Sequence, residues 1–243
     1  MDGRRSLVTG AGRGIGAAVA RRLSAAGHRV ALTARSADEL AALAAVLPGP
    51  SLVLPADVTD PDAVEHVYGE VERAWGPVEV LVLNAGAGTS APLARTTDAD
   101  WQRMLDLNLT APFRMLRRAI PPMVDAGWGR VVAVASVAAK RGEPYIAAYT
   151  ASKHGLLGLV RSAACELATS GVTVNAVCPG ATDTPMWRQP GNEDWKAWKI
   201  DSLPIKRLGQ PIEIAWAYVY LASDEASYCL GQSISPNGGD VMW

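Results

Sequence analysis

Cysteine and histidine are scarce in this sequence, with three of each among 243 residues. The cysteines, Cys165, Cys178 and Cys229, are odd in number and show neither a Cys-x-x-Cys pair nor the spacing to histidine that zinc sites use. We therefore expect neither a disulfide framework nor a metal site, and the pattern fits the reduced thiols of a cytoplasmic protein.

Charge imbalance and long apolar runs are also lacking. Lys and Arg together number 23 against 24 Asp and Glu, and no block of like charges occurs. Such a chain has no basic surface to follow a phosphate backbone, so nucleic acid is not an expected partner. No apolar run reaches the roughly 18 residues of a membrane span, and the first strand pattern begins too early to follow a signal peptide. These absences predict a soluble, cytoplasmic protein without a membrane partner.

Strand-like apolar runs alternate with segments of helical period along the whole chain, without a linker or repeat. This alternation predicts a single domain over residues 1–243, an α/β doubly wound Rossmann-type fold with a seven-stranded, mainly parallel sheet. Its functional site is expected at the carboxyl ends of the strands. The predicted strands are 6–9, 29–33, 51–54, 78–83, 130–135, 172–177 and 232–235.

A glycine-rich turn, Gly10-Ala-Gly-Arg-Gly-Ile-Gly16, leads from the first strand pattern directly into a helical pattern. Glycine lets the backbone approach a pyrophosphate, whose charge is favoured by the free N–H groups and positive dipole end of the helix. The turn therefore predicts dinucleotide binding, the alternative being a purely structural turn.

The end of the second strand pattern indicates which dinucleotide binds. A cofactor with a free ribose 2′-hydroxyl is usually met there by Asp or Glu, whereas this chain has Thr33-Ala34 followed by Arg35. Arg35 and Arg13 can flank a 2′-phosphate through charge-assisted hydrogen bonds. The sequence thus predicts NADPH rather than NAD, the alternative being that Arg35 is a solvated loop residue and Arg13 covers the helix start.

Polar residues follow the third and fourth strand patterns as well. Asp57, Asp60 and Asp62 lie close together, but helix capping explains the last two better than a metal does. Asp57 can accept a hydrogen bond from an adenine amino group. After the fourth strand, Asn84-Ala-Gly86 offers small residues that let the chain pass close to a bound dinucleotide.

Ser136, Tyr149 and Lys153 form the candidate catalytic group. Ser136 ends an apolar strand pattern, and Tyr149 and Lys153, four residues apart at the start of a helical pattern, share one helix face. A nearby ammonium is expected to lower the pKa of the phenol from about 10 toward neutral pH, and the serine hydroxyl can hold a carbonyl oxygen beside it. A tyrosine packed on a lysine stem is the alternative interpretation of this spacing.

Two further segments are unusual. Asn108 interrupts a helical pattern between residues 101–106 and 110–123, which predicts a local helix distortion. Residues 184–208 carry three tryptophans without a clear core period, and we interpret them as a substrate lid. Trp195 and Trp198 can present one aromatic wall to a bulky substrate, although ordinary packing explains them equally well.

Taken together, these motifs resemble the short-chain dehydrogenase/reductase family over essentially the whole chain. The shared motifs are Thr9-Gly-Ala-Gly-Arg-Gly-Ile-Gly16, Asn84-Ala-Gly86, Asn108, Ser136, Tyr149-x-x-x-Lys153 and Pro179-Gly180. The resemblance implies that Tyr149 is the acid/base, that Ser136 polarises the substrate oxygen and that Lys153 holds the nicotinamide ribose. It also implies that Asn108 anchors a water that relays protons through Lys153.

The same resemblance implies a cofactor site, a substrate site and an oligomer. The protein is expected to be a homotetramer, or a homodimer, in which Trp243 reaches a neighbouring subunit. Candidate substrate contacts are Ala138, Tyr145, Trp187, Trp195 and Trp198. Implied cofactor contacts are Gly10, Arg13, Gly14, Ile15, Gly16, Arg35, Asp57, Val58, Asn84, Ala85, Gly86, Tyr149, Lys153, Pro179, Gly180, Thr182 and Thr184.

Within that family the chain is similar to 3-oxoacyl-reductase-type enzymes and ketoreductases. The predicted activity is NADPH-dependent reduction of a bulky, apolar or aromatic ketone to a secondary alcohol. Positions 127–128 and 169–171 lack the basic residues that carrier-protein docking favours, so a free ketone or a CoA thioester fits better. The alternatives are a dehydrogenase that oxidises a secondary alcohol or 3-hydroxyacyl-CoA and, more remotely, a non-catalytic NADP sensor.

Overall fold

The computed structural model describes residues 3–191 and 193–242, and within them seven strands form one sheet. Neighbouring strands pair in parallel throughout, in the spatial order β3-β2-β1-β4-β5-β6-β7. The strands are β1 (Arg5–Thr9), β2 (Arg29–Ala34), β3 (Ser51–Pro55), β4 (Val80–Leu83), β5 (Gly129–Val134), β6 (Val172–Val177) and β7 (Ser233–Ile234).

Helices cover both faces of the sheet. The third, fifth and sixth helices pack on one face, and the first, second and eighth on the other. The helices are α1 (Gly14–Ala25), α2 (Ala37–Ala44), α3 (Pro61–Trp75), α4 (Asp98–Leu105), α5 (Ala111–Asp125), α6 (Ala147–Glu166), α7 (Glu193–Ser202) and α8 (Pro211–Leu221), with a π-helical segment at Asp106–Thr110.

Alternation along the central strands explains why both faces are covered. In β5, Val131 and Ala133 belong to the core under α5 and α6, whereas Val132 and Val134 belong to the core under α1 and α8. Every residue of β5 is buried, as expected for a parallel strand between two helical layers. The chain therefore has two cores that share one sheet.

The predicted doubly wound α/β fold is confirmed, and each predicted strand agrees with the observed one to within about two residues. The sheet is wholly rather than mainly parallel. The Ala- and Leu-rich segment 38–47 is α-helical only to Ala44, because tighter hydrogen bonds from the N–H groups of Val46 and Leu47 to the carbonyls of Leu43 and Ala44 close the last turn before Pro48. No helix in the described residues is long and apolar enough to cross a membrane.

Helix α7, within the predicted lid, was missed because it lacks an apolar face. Lys199 is its only buried residue, so its hydrophobic pattern carries no helical period. The predicted distortion at Asn108 is confirmed, since this residue lies in the π-helical segment between α4 and α5.

The order of the strands creates a crevice between β1 and β4. From β1 the chain winds outward to β2 and β3, and after β3 it returns to the other side of β1 to form β4. The connections therefore leave the carboxyl ends of β1 and β4 in opposite directions, which opens the crevice where doubly wound sheets bind ligands.

A buried histidine, His28, lies at the amino end of β2, away from the crevice at the carboxyl ends of the strands. His28 is fully buried, and its Nδ1 is 2.6 Å from the Ser6 hydroxyl, while Nε2 has no hydrogen-bond partner among the described residues. Burial, helped by the positive charge of Arg4, lowers the pKa of His28 from 6.5 to about 4. His28 is therefore neutral in the folded protein at physiological pH.

This histidine is expected to make the fold acid-sensitive between pH 6.5 and 4. In that window the unfolded chain binds a proton that native His28 excludes, so the free energy of unfolding falls as the pH drops, by up to about 3 kcal/mol. Urea unfolding of the wild type and of His28→Gln across this window measures the effect. The variant should show a shallower pH dependence, whereas His66→Gln, at an exposed site, should keep the wild-type slope. Identical slopes in all three proteins would contradict the assignment.

Candidate active site

Thr9 joins the carboxyl ends of β1 and β4. Its buried hydroxyl donates to the Val82 carbonyl (3.2 Å) and accepts from the backbone N–H groups of Asn84 (2.8 Å) and Ala85 (2.9 Å). The Asn84 side-chain amide donates back to the carbonyls of Thr9 (3.0 Å) and Gly10 (3.1 Å). Asn84 thus holds the glycine turn against β4. Sequence analysis did not assign Thr9 a role, although a hydroxyl directly before the glycines was a visible signal.

The glycines are required by the packing of this turn. Gly10 and Gly14 have φ values of +61° and +58°, in the left-handed region that favours glycine. A Cβ on Gly16 would lie 2.2 Å from the Gly10 carbonyl oxygen, and one on Gly10 would lie 2.9 Å from the Cα of Ala85. Helix α1 begins at Gly14 without a side-chain cap or an acidic residue in its first turn, which leaves an N-terminus suited to an anion.

The residues predicted to select the dinucleotide lie around this turn. Arg13 precedes α1 and Arg35 follows β2, and both side chains are exposed. Glu39, which the sequence analysis did not consider, places its Oε1 3.5 Å from a guanidinium nitrogen of Arg13. Asp57 accepts hydrogen bonds from the Thr59 N–H (2.9 Å) and hydroxyl (2.7 Å), and these bonds lower the pKa of its carboxyl group. Among the other predicted cofactor contacts, Val58 is buried and Ile15 is partly buried.

Ser136, Tyr149 and Lys153 come together beyond the end of β5. The Lys153 Nζ is buried, donates to the Val134 carbonyl at 2.7 Å and lies 5.8 Å from the centre of the Tyr149 ring. Ser136 follows β5 by two residues, and its hydroxyl accepts from the Ala138 N–H (3.1 Å), which starts a short 3₁₀ turn at Val137–Ala139. Ser136, in the turn after β5, therefore lies beside Tyr149 and Lys153, which are both on α6.

Asn108 is held next to this group by the π-helical segment. Its Oδ1 accepts from the Ala87 N–H (3.1 Å), and its Nδ2 donates to the Ala87 carbonyl (3.0 Å) and the Ser152 hydroxyl (3.1 Å). A Cβ on Gly86 would lie 3.0 Å from Asn108 Oδ1 and 3.5 Å from Lys153 Nζ. Asn108 and Lys153 therefore approach Gly86 together, which explains the need for glycine there.

The electrostatics differ from the expectation for Tyr149. Burial raises the pKa of Tyr149, and the neighbouring Ser136 side chain opposes this shift only in part. In this state the Lys153 ammonium group donates to the Val134 carbonyl. Burial also lowers the pKa of Lys153 to about 8, so this side chain remains mainly protonated at neutral pH.

The turn after β6 brings the remaining predicted cofactor contacts to the crevice. Gly180 packs so closely on the C-terminal segment that an added Cβ would lie 2.8 Å from the Cα of Asn237. The Thr182 hydroxyl donates to the Gly180 carbonyl (2.9 Å), and the Pro179 carbonyl accepts from Val137. The Thr184 side chain faces the glycine turn, 3.5 Å from the position of a Cβ on Gly14.

The candidate substrate residues differ in how far they are exposed. Ala138 is buried behind Ser136, whereas Tyr145 is 62% exposed and has a φ of +68°, with its carbonyl bound by the Ala91 N–H (2.8 Å). The wall of Trp195 and Trp198 stays a prediction, because both side chains are exposed on α7. Trp195 packs against Trp187, with ring centres 5.7 Å apart, and Trp198 is 61% exposed.

Gly88 and Met186 were missed by sequence analysis. A Cβ on Gly88 would lie 3.9 Å from Cδ2 of Tyr149 and 4.0 Å from the Met186 sulfur, so the loop after β4 and the start of the lid meet beside the phenol. Over residues 3–191 and 193–242, no group of three or more His, Cys, Asp or Glu side chains is placed to hold a metal ion.

Comparison with known proteins agrees with this arrangement. Residues 10–240 match the family model described as enoyl-(acyl carrier protein) reductase. The 3-oxoacyl-(acyl-carrier-protein) reductase MabA of Mycobacterium bovis is 42% identical over 239 residues, which cover 98% of this chain and 93% of that protein. The corresponding reductase FabG of Escherichia coli is 38% identical over 242 residues, covering 100% and 99%.

A solved structure that contains NADPH has the same fold. A variant of actinorhodin polyketide ketoreductase with NADPH superposes with a TM-score of 0.93 at 34% identity, covering 98% of each chain. The chain belongs to the short-chain dehydrogenase/reductase family. It is accordingly an NAD(P)-dependent oxidoreductase that acts on CH–OH or keto groups.

The Thr9 hydroxyl is expected to be essential for the crevice. Thr9→Val leaves two backbone N–H groups, those of Asn84 and Ala85, without an acceptor, which should lower the free energy of unfolding by about 2–4 kcal/mol. Thr9→Ser keeps the hydroxyl and should lose about 1 kcal/mol, for the missing methyl group. Urea unfolding measures both changes. Equal losses for the valine and serine variants would show that the hydroxyl does not hold the two strands together.

Proposed function

We propose that this protein is an NADPH-dependent ketoreductase that reduces a bulky, apolar or aromatic ketone to a secondary alcohol. The observation that carries the proposal is the convergence of Ser136, Tyr149 and Lys153 at the crevice that begins with the glycine turn. Reduction is also the reaction named for the relatives that are 3-oxoacyl reductases. A similar solved structure is that of a ketoreductase with NADPH.

The residues of the crevice fit a dinucleotide. Gly10 and Gly16 have no room for a side chain, and the N-terminus of α1 is uncapped, which suits a pyrophosphate. Arg13 and Arg35 are our candidates for the 2′-phosphate, and Asp57 for the adenine amino group. When bound, the nicotinamide cofactor supplies a hydride to the carbonyl carbon.

The chain's own residues would supply the proton and stabilise the developing charge. Tyr149, whose pKa is raised by burial, keeps its proton at neutral pH and can donate it to the oxygen that becomes an alkoxide. The Ser136 hydroxyl donates a hydrogen bond to the same oxygen as charge develops there. Protonated Lys153 stabilises the phenolate left behind, and Asn108 holds the loop against which Lys153 packs.

We propose a freely diffusing ketone or a CoA thioester in preference to a carrier-bound substrate. Arg4 and Arg130 lie over the ring of Trp128, at 3.7 and 4.4 Å from its centre, but both guanidinium groups are paired, with Glu79 and Asp224. Their charge is therefore already balanced at the position where basic residues would favour an acidic carrier protein.

We further propose a homotetramer, or a homodimer, built on α5 and α6. Helix α5 exposes Phe113 and Val124, at 42% and 38%, which are apolar side chains suited to a subunit contact. The predicted contact of Trp243 lies outside the described residues.

Tyr149→Phe should abolish most turnover without affecting cofactor binding. The phenylalanine keeps the ring but cannot donate a proton, so the turnover number should fall by about 10²–10⁴. NADPH binding is followed by tryptophan fluorescence, and reduction of a panel of bulky and small ketones by the loss of nicotinamide absorbance. Tyr228→Phe, which alters a fully exposed tyrosine, is the matched control. Near-wild-type turnover in Tyr149→Phe would refute the mechanism, and a wild type active only on alcohols with NADP would reverse the proposed direction.

Arg35→Asp should shift the preference from NADPH toward NADH. The change removes a charge-assisted hydrogen bond to the 2′-phosphate and adds repulsion, so NADPH affinity should fall by about 10- to 100-fold while NADH affinity is kept or improved. Fluorescence titration with each cofactor provides the ratio. Arg29→Asp, at the other end of the same strand, is the control. An unchanged ratio in Arg35→Asp would exclude this arginine from cofactor selection.

A further inference from the structure

Helix α7 buries a charged side chain rather than an apolar one. Its only buried side chain is Lys199, which is 6% exposed, whereas Trp195 and Trp198 on the same helix are 40% and 61% exposed. A surface helix usually docks through an apolar stripe, which α7 lacks. Within the helix, Lys199 therefore makes the buried contact to the domain, and the next buried side chain is Leu203, directly after the helix.

Lys199 belongs to a compact cluster of two cations and two anions. Its Nζ lies 3.0 Å from each carboxylate oxygen of Asp240 and 3.4 Å from Glu143. The Arg141 guanidinium group donates to Glu143 (2.7 Å), to the Asp240 carboxylate (2.8 Å) and to the Asp240 backbone carbonyl (3.0 Å). The four charges cancel, and each anion contacts both cations. We call these four residues the ion cluster.

The ion cluster connects three segments around the candidate active site. Arg141 and Glu143 lie in the loop between Ser136 and Tyr149, Lys199 lies on α7, and Asp240 lies in the C-terminal loop. That loop also receives the end of the lid, since the Ile205 N–H donates to the Gly238 carbonyl (3.2 Å). The loop that leads to the proposed acid is thereby joined to the lid by ion pairs.

The burial of Lys199 and Asp240 makes the loss of either charge costly. The side chains of Lys199 and Asp240 are 8% and 7% exposed, so neither ion is screened by water when its partner is lost. Removing one member of a buried pair is costly because an uncompensated charge remains, whereas removing both members together is much less so. The stability of the fold and the position of the lid can therefore be separated by experiment.

We propose that the ion cluster is a positioning device that holds α7 closed over the substrate site, with Lys199 and Asp240 as positioning residues. This inference rests on the proposed ketone reduction for its kinetic consequences, but the attachment of the helix is independent of that reaction. When the pair is broken, the closed arrangement becomes a minor state. The apparent affinity for substrate then falls in proportion to its population.

The first test compares Lys199→Met with Lys196→Met, a lysine on the same helix that pairs with exposed Glu193. Lys199→Met should raise the KM for the ketone about tenfold and leave kcat and the Kd for NADPH within about twofold, because saturating substrate selects the closed state. Lys196→Met should leave all three constants unchanged. An unchanged KM in Lys199→Met, or equal changes in both variants, would overturn the proposal.

The double variant Lys199→Met/Asp240→Asn separates positioning from stability. It leaves no unpaired charge at the pair, so its Tm should recover toward that of the wild type while the KM remains raised. A KM that recovers together with the Tm would show that the cluster only stabilises the fold, and would overturn the proposal.

Hydrogen exchange of the α7 amides provides a readout that needs no turnover. Faster exchange is expected in both variants that lack Lys199, and wild-type exchange in Lys196→Met. If no ketone is reduced by the wild type but exchange behaves in this way, the proposed function fails and the attachment of the lid stands. Wild-type exchange in Lys199→Met would refute the attachment itself.

Discussion

The close packing of the glycine turn against the end of β4 is the contact on which the rest of the crevice depends. The Thr9 hydroxyl and the Asn84 amide join the two strands, and Gly10 and Gly16 approach too closely for any side chain. Because this contact fixes the start of α1, it also fixes where the helix presents its free N–H groups. The candidate cofactor site is therefore shaped by the packed backbone rather than by side chains.

The site beside it depends on burial rather than on one pair of charges. Tyr149 and Lys153 share a helix face, as their spacing requires, yet the ammonium group binds the Val134 carbonyl and the pKa of the phenol is raised. Burial therefore keeps the proton on the tyrosine, which suits an acid that delivers it to a developing alkoxide. The same burial brings the pKa of Lys153 close to physiological pH, so the charge that would stabilise a phenolate is itself sensitive to the surroundings.

The two sides of the crevice are built from different interactions. One side is the end of a sheet that has an apolar core on both faces. The other side is the lid, whose helix buries Lys199 against its carboxylate partners. Apolar packing is non-directional and fixes a rigid platform, while ion pairs need particular partners and are lost together. A rigid sheet suits the binding of a cofactor, whereas a lid held by ion pairs suits the entry of a substrate.

The sequence by itself determined the elements that depend on local patterns. Strand and helix periods located all seven strands, the glycine spacing located the turn, and the interruption at Asn108 located the π-helical segment. Long-range contacts were decided only by the tertiary structure. The direction of the Lys153 ammonium, the partner of Trp195 and the pairing of Lys199 with Asp240 each join segments that are distant along the chain or depend on burial. Helix α7 has no apolar face and thus no periodic signal, so it was visible only once the fold had enclosed Lys199.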